Sequence, residues 1–444
     1  MKILFVIESP RIKYHYLTKL QPLGVLYIAS YLESKNIDVD VLDFNVEKRR
    51  KFNPNNYDLI GYSVTSGNIE LTLDSIKWAK SLNPKIKILI GGPMVSLSPK
   101  ELILNKDVDV CVEGEAENTV YKYLISSDKS KIKGLWLKKN GKPYYTGKSK
   151  PIGNLDILPF PAIEKVPFKD YHVVFKKTKN VIALITSRGC PYTCIFCHHS
   201  LGFKFRARSP ENVVMEIERN IKNFGINEFW IADDNFTMDI DRVEKICDLI
   251  ISKKLKIVFS LANGVRADKL DEKLLKKLKV AGCWFLTIAP ESGSTTSLEK
   301  IHKGFTLEQA LLISKICKKI GIKTMSNFII GFPWEEKKDV IKTIEFAKKL
   351  NTDVTHFSRL IPYPGTPLWN LVNRSKYKLK DEAHNEGTPK YKHPNISDDE
   401  FKYLIKKAYR ETMLKPRKIW NLFRMLKIRD FISLGKYSLS TKSI

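Results

Sequence analysis

Three cysteines stand on one short stretch, "SRGCPYTCIFCHHS" (187–200), at the spacing C-x3-C-x2-C: Cys190, Cys194 and Cys197. Thiolates are soft ligands suited to zinc or to iron-sulfur centres, and this spacing lets one loop wrap a cluster corner by corner. A tetrahedral zinc or a fully ligated cluster asks for four ligands, not three. If three thiolates hold a 4Fe-4S cubane, the fourth iron stays open for substrate or cofactor, as a catalytic zinc keeps one position free. The competing reading is a zinc knuckle completed by His198 or His199, which directly follow the last cysteine; adjacent histidines there also fit simple loop packing.

These residues need elements to position them. The cysteine loop follows an apolar run, "VIALIT". The runs "NEFWIAD", "KIVFSLA", "CWFLTIA", "GIKTMSNFIIG" and "VTHFSRLIP" come after it, separated by helix patterns at roughly 210–224, 239–254, 270–281, 306–320 and 336–350. Six such units predict a partial (β/α)6, TIM-like barrel over 176–375, with its chemistry at the carboxyl ends of the strands. Before it, "KILFVI", "VDVLDF", "LIGYSV", "KILIGG" and "VDVCVEG" alternate with helix patterns. That alternation predicts a Rossmann-like, doubly wound parallel sheet over 1–130, with a ligand crevice beyond its strand ends. Those ends carry "SVTS" (63–66), "GGPMVS" (91–96) and "EGEAE" (113–117). Residues 131–175 read as a hairpin, "KKNGKPYYTGKSK", and a proline-punctuated linker. Residues 376–444 read as a polar stretch that covers the barrel mouth, then a helical, basic region starting at an N-cap-like Ser397.

C-x3-C-x2-C after the first strand of a six-unit barrel resembles the radical S-adenosylmethionine (radical SAM) enzymes. Further segments resemble them in order: "ADDNFTMD", "APESGS", "NFIIGFPWE" and "RLIPYPGTPLW". The resemblance implies a 4Fe-4S cluster on Cys190, Cys194 and Cys197 whose open iron is chelated by S-adenosylmethionine, and a 5′-deoxyadenosyl radical that activates an unreactive carbon. Beside it, Asp233, Asp234, Asn235, Glu291 and Ser292 are expected to hydrogen-bond S-adenosylmethionine, while Gly331 and Pro333 shape a backbone edge for its adenine. Asp, Asn and Ser at strand ends also serve as helix caps. Arg266 is a further candidate for a carboxylate contact.

The N-terminal segments resemble the cobalamin-binding domain of the cobalamin-dependent branch of this family. That implies cobalamin cradled by Thr65, Ser66, Gly91, Gly92, Pro93, Ser96, Glu113, Gly114 and Glu115. No D-x-H-x-x-G follows the first strand, where the chain has "ESPRIK", so no histidine ligand to cobalt is expected. The expected activity is methylation of an unactivated carbon. Cyclisation or rearrangement is the enzymatic alternative, and a cobalamin or redox sensor the non-enzymatic one. An external electron donor such as flavodoxin or ferredoxin is implied.

Composition narrows the partners. The net charge of +28 over 444 residues admits nucleic acid, an anionic membrane or an anionic substrate. Lysine is scattered as on solvated helix faces, and no nucleic-acid module is present, so nucleic acid is not expected. Residues 401–444 concentrate charge, with twelve Lys or Arg against two acids. Lys418, Asn421, Arg424 and Lys427 fall on one stripe, with Ile419, Trp420, Leu422, Phe423 and Leu426 over the remainder. This suits either an interfacial helix on anionic lipid or a terminal helix packed on the barrel. A membrane-associated tail points, with relatives of this branch, to a lipid or isoprenoid-like substrate. No run approaches the ~18 apolar residues of a membrane span. The remaining cysteines, Cys111, Cys247, Cys283 and Cys317, form no secreted disulfide framework, and a cytoplasmic location is expected.

Overall fold

The apolar runs at the start of the chain assemble into one sheet. Strands β1 (Lys2–Ile7), β2 (Asp38–Asp43), β3 (Leu59–Ser63), β4 (Lys87–Gly91) and β5 (Val110–Val112) pair in parallel in the order β2-β1-β3-β4-β5. Strand order reverses between β1 and β3, which is where a doubly wound sheet opens its crevice. The strands read as near-continuous apolar runs because both faces are buried: Leu4, Val6, Ile60, Ile88 and Ile90 are fully enclosed. The structure, a computed structural model, describes residues 1–9, 18–48, 52–199, 201–363, 365–372, 391–426 and 430. Pro10 to Lys13 of "ESPRIK", residues 376–390, Lys427 and residues 431–444 lie outside the described residues.

The hairpin read as part of a connector belongs to the sheet instead. Strands β6 (Leu135–Lys139) and β7 (Lys142–Tyr145) continue it antiparallel beyond β5. Stacking of Trp136 on Tyr145, with ring centroids 4.6 Å apart, supplies an apolar contact that a solvated hairpin would lack. The chain divides into two compact units, one running through Tyr171 and the other beginning at His172 and including the C-terminal residues described.

In the second unit, β8 (Ile182–Leu184), β9 (Glu228–Ile231), β10 (Val258–Val265), β11 (Cys283–Glu291), β12 (Lys323–Ile330) and β13 (Val354–Arg359) pair in parallel and in sequence order, as a (β/α)6 partial barrel requires. Local signals start and stop the intervening helices. Ser209 caps α1 (Pro210–Phe224), with Pro210 at the first position and left-handed Gly225 ending it. Asp239 caps α2 (Ile240–Ser252), Asp271 caps α3 (Glu272–Val280), and a Thr306–Gln309 capping box opens α4 (Leu307–Ile320). α5 (Lys337–Leu350) follows β12.

The C-terminal helices α6 (Asp398–Thr412), capped by Ser397, and α7 (Pro416–Met425) add to this unit. The stripe on α7 is turned relative to the sequence reading. Lys418 and Met425 are buried and Leu422 is partly so, with Leu422 and Met425 in a cluster with Trp284, Phe285 and Val354. Trp420 and Phe423 lie on the exposed side. Positions 418, 422 and 425 recur at helical spacing as well as 418, 421 and 424 do, and periodicity alone does not say which row meets a partner. Burial lowers the Lys418 ammonium to about 8. A depressed lysine stabilises the fold fully only above its unfolded value, and that contribution is lost as pH falls through 8. Lys418→Met is therefore expected to raise Tm at pH 7, with the gap closing towards pH 10.5. A gap that stays constant over that range contradicts the burial assigned to Lys418.

Candidate active site

The cysteine loop is tied at its base and along its length. Ser187–Arg188 pairs antiparallel with Arg206–Ala207, and the Cys190 amide donates to Gly202 O at 3.2 Å. Gly189 takes φ +84°, and a side chain there would strike the backbone of Lys204 and Gly202. The Ile195 amide donates to Ile301 O at 3.2 Å, and the Cys194 thiol lies 3.7 Å from His302 O. None of the three cysteines is in a disulfide; Cys190 and Cys194 are half-buried and Cys197 is exposed.

Crowding around the sulfurs pushes all three thiols up, Cys197 to about 12, with each of its cysteine neighbours adding to the shift. Lys303 opposes the shift at Cys194, and Arg266 does so at Cys190 and Cys194. Three thiols on one loop, raised first by burial and, at Cys190 and Cys197, also by their cysteine neighbours, are a donor set that a bound cation would relieve, and they fit an iron-sulfur cluster. His198 and His199 make other contacts. His199 Nε2 bonds Tyr192 O at 2.7 Å and its ring stacks on Phe203, while His198 meets Tyr363 edge-on.

The strand-end residues divide into those spent on the protein and those left available. Asp233, 2 % exposed, accepts from the Thr186 amide (2.6 Å), Thr186 Oγ1 (2.5 Å) and Ser187 Oγ (2.6 Å). It fastens the segment that enters the cysteine loop and caps no helix. Asn235 is buried against Thr237 and Met238. Ser292 is fully buried among Thr343, Glu335 and the Ser294 amide. The polar atoms of these three are enclosed and bonded within the protein. Arg266 is likewise committed, to Asp268, Lys303 O and Gly304 O, with its guanidinium 3.6 Å from the Tyr192 ring centroid.

Asp234 differs. It is exposed and accepts the Gly189 amide at 3.1 Å, one residue from Cys190. Glu291 ends β11 at φ +70°, and its Oε1 accepts from Lys303 Nζ at 2.8 Å. This pair adjoins Cys194, whose thiol both groups influence. Gly331 and Pro333 sit on a loop organised by a residue that sequence reasoning missed. Glu335 Oε2 accepts the amides of Gly331 (2.8 Å) and Phe332 (3.1 Å), while Oε1 accepts Ser297 Oγ (3.0 Å). Burial lifts its carboxyl to about 7. "PWEE" offers two adjacent glutamates, and nothing in the string separates the buried Glu335 from the exposed Glu336.

In the first unit the candidates line the carboxyl ends of β3, β4 and β5. The Thr65 amide donates to Asn68 Oδ1 at 2.8 Å, and Asn68 Nδ2 reaches Glu8 O and Ser63 O, each at 3.1 Å. Asn68, also missed in the sequence, laces β1 to β3 where strand order reverses. Gly92 (φ +98°) is exposed, and a side chain on it would collide with the Val64 backbone. Pro93 and Gly114 are exposed as well, and Ser66, Gly91 and Ser96 are half-buried. Glu113 is occupied by Trp136 Nε1 (2.7 Å) and Tyr145 OH (3.2 Å), and Glu115 by the Ile152 amide (2.6 Å). A glycine-edged rim with exposed backbone suits a large flat ligand such as a corrin.

A family model described as the Radical SAM superfamily matches residues 184–347, and one described as the B12 binding domain matches residues 14–124. "Uncharacterized methyltransferase PH0819" of Pyrococcus horikoshii is 32 % identical over 440 residues, covering 94 % of this chain and 93 % of its own. The anaerobic magnesium-protoporphyrin IX monomethyl ester cyclase of Rubrivivax gelatinosus is 26 % identical over 385 residues, covering 83 % of this chain and 69 % of its own. OxsB, solved as a cobalamin-dependent S-adenosylmethionine radical enzyme with aqua-cobalamin and S-adenosylmethionine bound, matches with TM-score 0.74 at 19 % identity, over 99 % of this chain and 72 % of OxsB, which speaks to fold. Both family models fall on units that carry the corresponding strand-end clusters, and a relative at this identity spans nearly the full length. The chain therefore belongs to the cobalamin-dependent radical SAM enzymes, whose cofactors are a 4Fe-4S cluster, S-adenosylmethionine and cobalamin.

Proposed function

We propose that this enzyme methylates an unactivated carbon of a hydrophobic, lipid- or isoprenoid-like substrate. The observation that carries methyl transfer is the end-to-end similarity to a protein named as a methyltransferase. When bound, the cluster supplies an electron to the sulfonium of S-adenosylmethionine, and cobalamin supplies a methyl carrier. The chain supplies placement. Cys190, Cys194 and Cys197 hold the cluster, Asp234 fixes the Gly189 backbone beside it, and Glu291 with Lys303 sets the charge next to Cys194. The Gly331–Pro333 loop, shaped by Glu335, is the segment set against the adenine. Thr65, Ser66, Gly91, Gly92, Pro93, Ser96 and Gly114 form the cobalamin rim. The similarity to a cyclase favours cyclisation as the second reading.

Support for a hydrophobic substrate comes from α7. Leu414, Trp420 and Phe423 are 64 %, 65 % and 53 % exposed, beside exposed Lys415, Arg417 and Arg424, and residues 412–426 include no acid. An apolar face rimmed by cations suits peripheral contact with an anionic bilayer. No helix among the described residues is long and apolar enough to cross a membrane. The net charge of +28 also suits docking of an acidic electron carrier, of the flavodoxin or ferredoxin kind.

Two experiments test these assignments. Anaerobically reconstituted protein, given methyl-labelled S-adenosylmethionine, a reductant and either a lipid or an aqueous extract, should place label in the lipid fraction. Label confined to water-soluble products overturns the hydrophobic substrate. Trp420→Ser/Phe423→Ser should lower co-sedimentation with phosphatidylglycerol vesicles by about tenfold or more, the cost of withdrawing two aromatic side chains from the interface. Unchanged sedimentation would remove the membrane from the account.

A further inference from the structure

The polar stretch before α6 reaches back to the loop that follows β12. His393 Nδ1 accepts the amides of Asn395 and Ile396, each at 3.1 Å, so that nitrogen carries no proton. The proton of the neutral ring is then on Nε2, which donates to Phe332 O at 2.8 Å. Asn395 Nδ2 donates to Glu335 O at 3.1 Å. The same loop is gripped from its other side by Glu335, which takes the amides of Gly331 and Phe332. The Phe332 residue is thus held through its N–H by one element and through its C=O by another.

The segment has its own anchors. Arg359, at the end of β13, donates to Tyr391 O at 3.1 Å and pairs with Asp398 at 2.7 Å, and its guanidinium lies 4.3 Å from the Phe401 ring centroid. The His393 ring meets Phe401 edge-on at 5.3 Å. Phe401 fills the space that a side chain on Gly331 would need. Phe401 and Leu404 are fully buried and pack α6 onto this unit, while the two polar arms are aimed at the Phe332 and Glu335 carbonyls and restrain the loop itself.

We infer that residues 391–398 form a latch on the Gly331–Glu335 loop, and that His393 is a positioning residue for the S-adenosylmethionine held there. The inference rests on the reading that this loop binds the cofactor. It assigns to the C-terminal region a part in cofactor affinity that no strand-end residue reveals.

The test is equilibrium binding of S-adenosylmethionine, by calorimetry, to cluster-reconstituted full-length protein. His393→Ala should weaken binding about five- to tenfold, the scale of one lost buried hydrogen bond. Asn395→Ala, which removes the other arm and spares the histidine, should weaken it in the same direction. His393→Gln, which can still donate to Phe332 O, should recover part of the loss. Cluster absorbance should be unchanged in all three. A merely structural role would lower Tm in each variant and leave affinity alone, and that result overturns the latch. If the wild-type protein with a full cluster binds no S-adenosylmethionine, the reading of the loop itself falls, and the latch with it.

Discussion

Cys194→Ala is expected to abolish turnover, with 5′-deoxyadenosine formation falling to the level of a cluster-free control and most of the iron-sulfur absorbance lost. The residue lies in the middle of the loop, its neighbour Ile195 bonded to Ile301 and its thiol beside His302. A cluster held by three thiolates has no spare ligand. Losing one would leave only Cys190 and Cys197 to hold the cluster. The fold should be almost indifferent, since Cys194 is half-buried and fills no core position. Circular dichroism and Tm near wild type, together with iron content well below four per chain, would complete the expected pattern. Full iron retention and activity in Cys194→Ala would show that the cluster is held elsewhere. The same substitution at Cys111, which is buried in the first unit's core, should cost stability and leave the cluster intact.

Asp233→Ala is expected to destabilise the second unit by about 3–5 kcal/mol and to reduce cluster content, although Asp233 is assigned no contact with iron. Its carboxylate receives one amide and two hydroxyls from Thr186 and Ser187, all buried. Alanine leaves the amide unpaired in a site closed to water, at about 1–3 kcal/mol for the group, and opens a cavity besides. The loss spreads along the segment. Thr186 O also receives the Arg208 amide and Arg242 Nη2, so the residue that leads into the cysteine loop is held through both its backbone N–H and its C=O. Asp233→Asn keeps an acceptor oxygen and should be milder, because the two hydroxyls can turn to accept from its amide. Thermal unfolding and iron content measured on the same samples check this. An Asp233→Ala protein of wild-type Tm and cluster content that fails to bind S-adenosylmethionine would instead place Asp233 in direct cofactor contact.

The contrast between these two residues shows what the string reveals. Cysteine spacing is chemistry in itself, since few structures other than a ligand loop need C-x3-C-x2-C. The strand and helix succession was legible for a similar reason: apolar runs followed by Ser209, Asp239, Asp271 and Thr306 caps state the period and the boundary locally. Asp233, Asp234 and Asn235 look alike in sequence, three small polar residues past a strand. Only the fold shows that the first is consumed by Thr186 and Ser187, the second exposed beside Gly189 and the third enclosed near Met238. Hydrogen-bond partners over forty residues away leave no local trace. His393 leaves no signal on the same ground, and Glu335 none because "PWEE" offers two equivalent glutamates. The hairpin at 135–145 was recognised as a hairpin but not as the edge of the sheet, because pairing of β5 with β6 is a long-range event. On α7 the amphipathic period was legible, but not the rotation that buries Lys418.

In the proposed reaction, S-adenosylmethionine and cobalamin serve together to move a methyl group. The measurement that tests it most directly is the paired yield of 5′-deoxyadenosine and S-adenosylhomocysteine from reconstituted protein with cobalamin, a reductant and the lipid extract. Methyl transfer of this kind consumes one S-adenosylmethionine for hydrogen abstraction and another for the methyl group. For methyl transfer, both products accumulate in step, with methyl label in an extractable product. Substrate-dependent 5′-deoxyadenosine without S-adenosylhomocysteine would contradict methyl transfer and establish cyclisation or rearrangement. Neither product, from protein loaded with cluster and cobalamin, would leave a sensor.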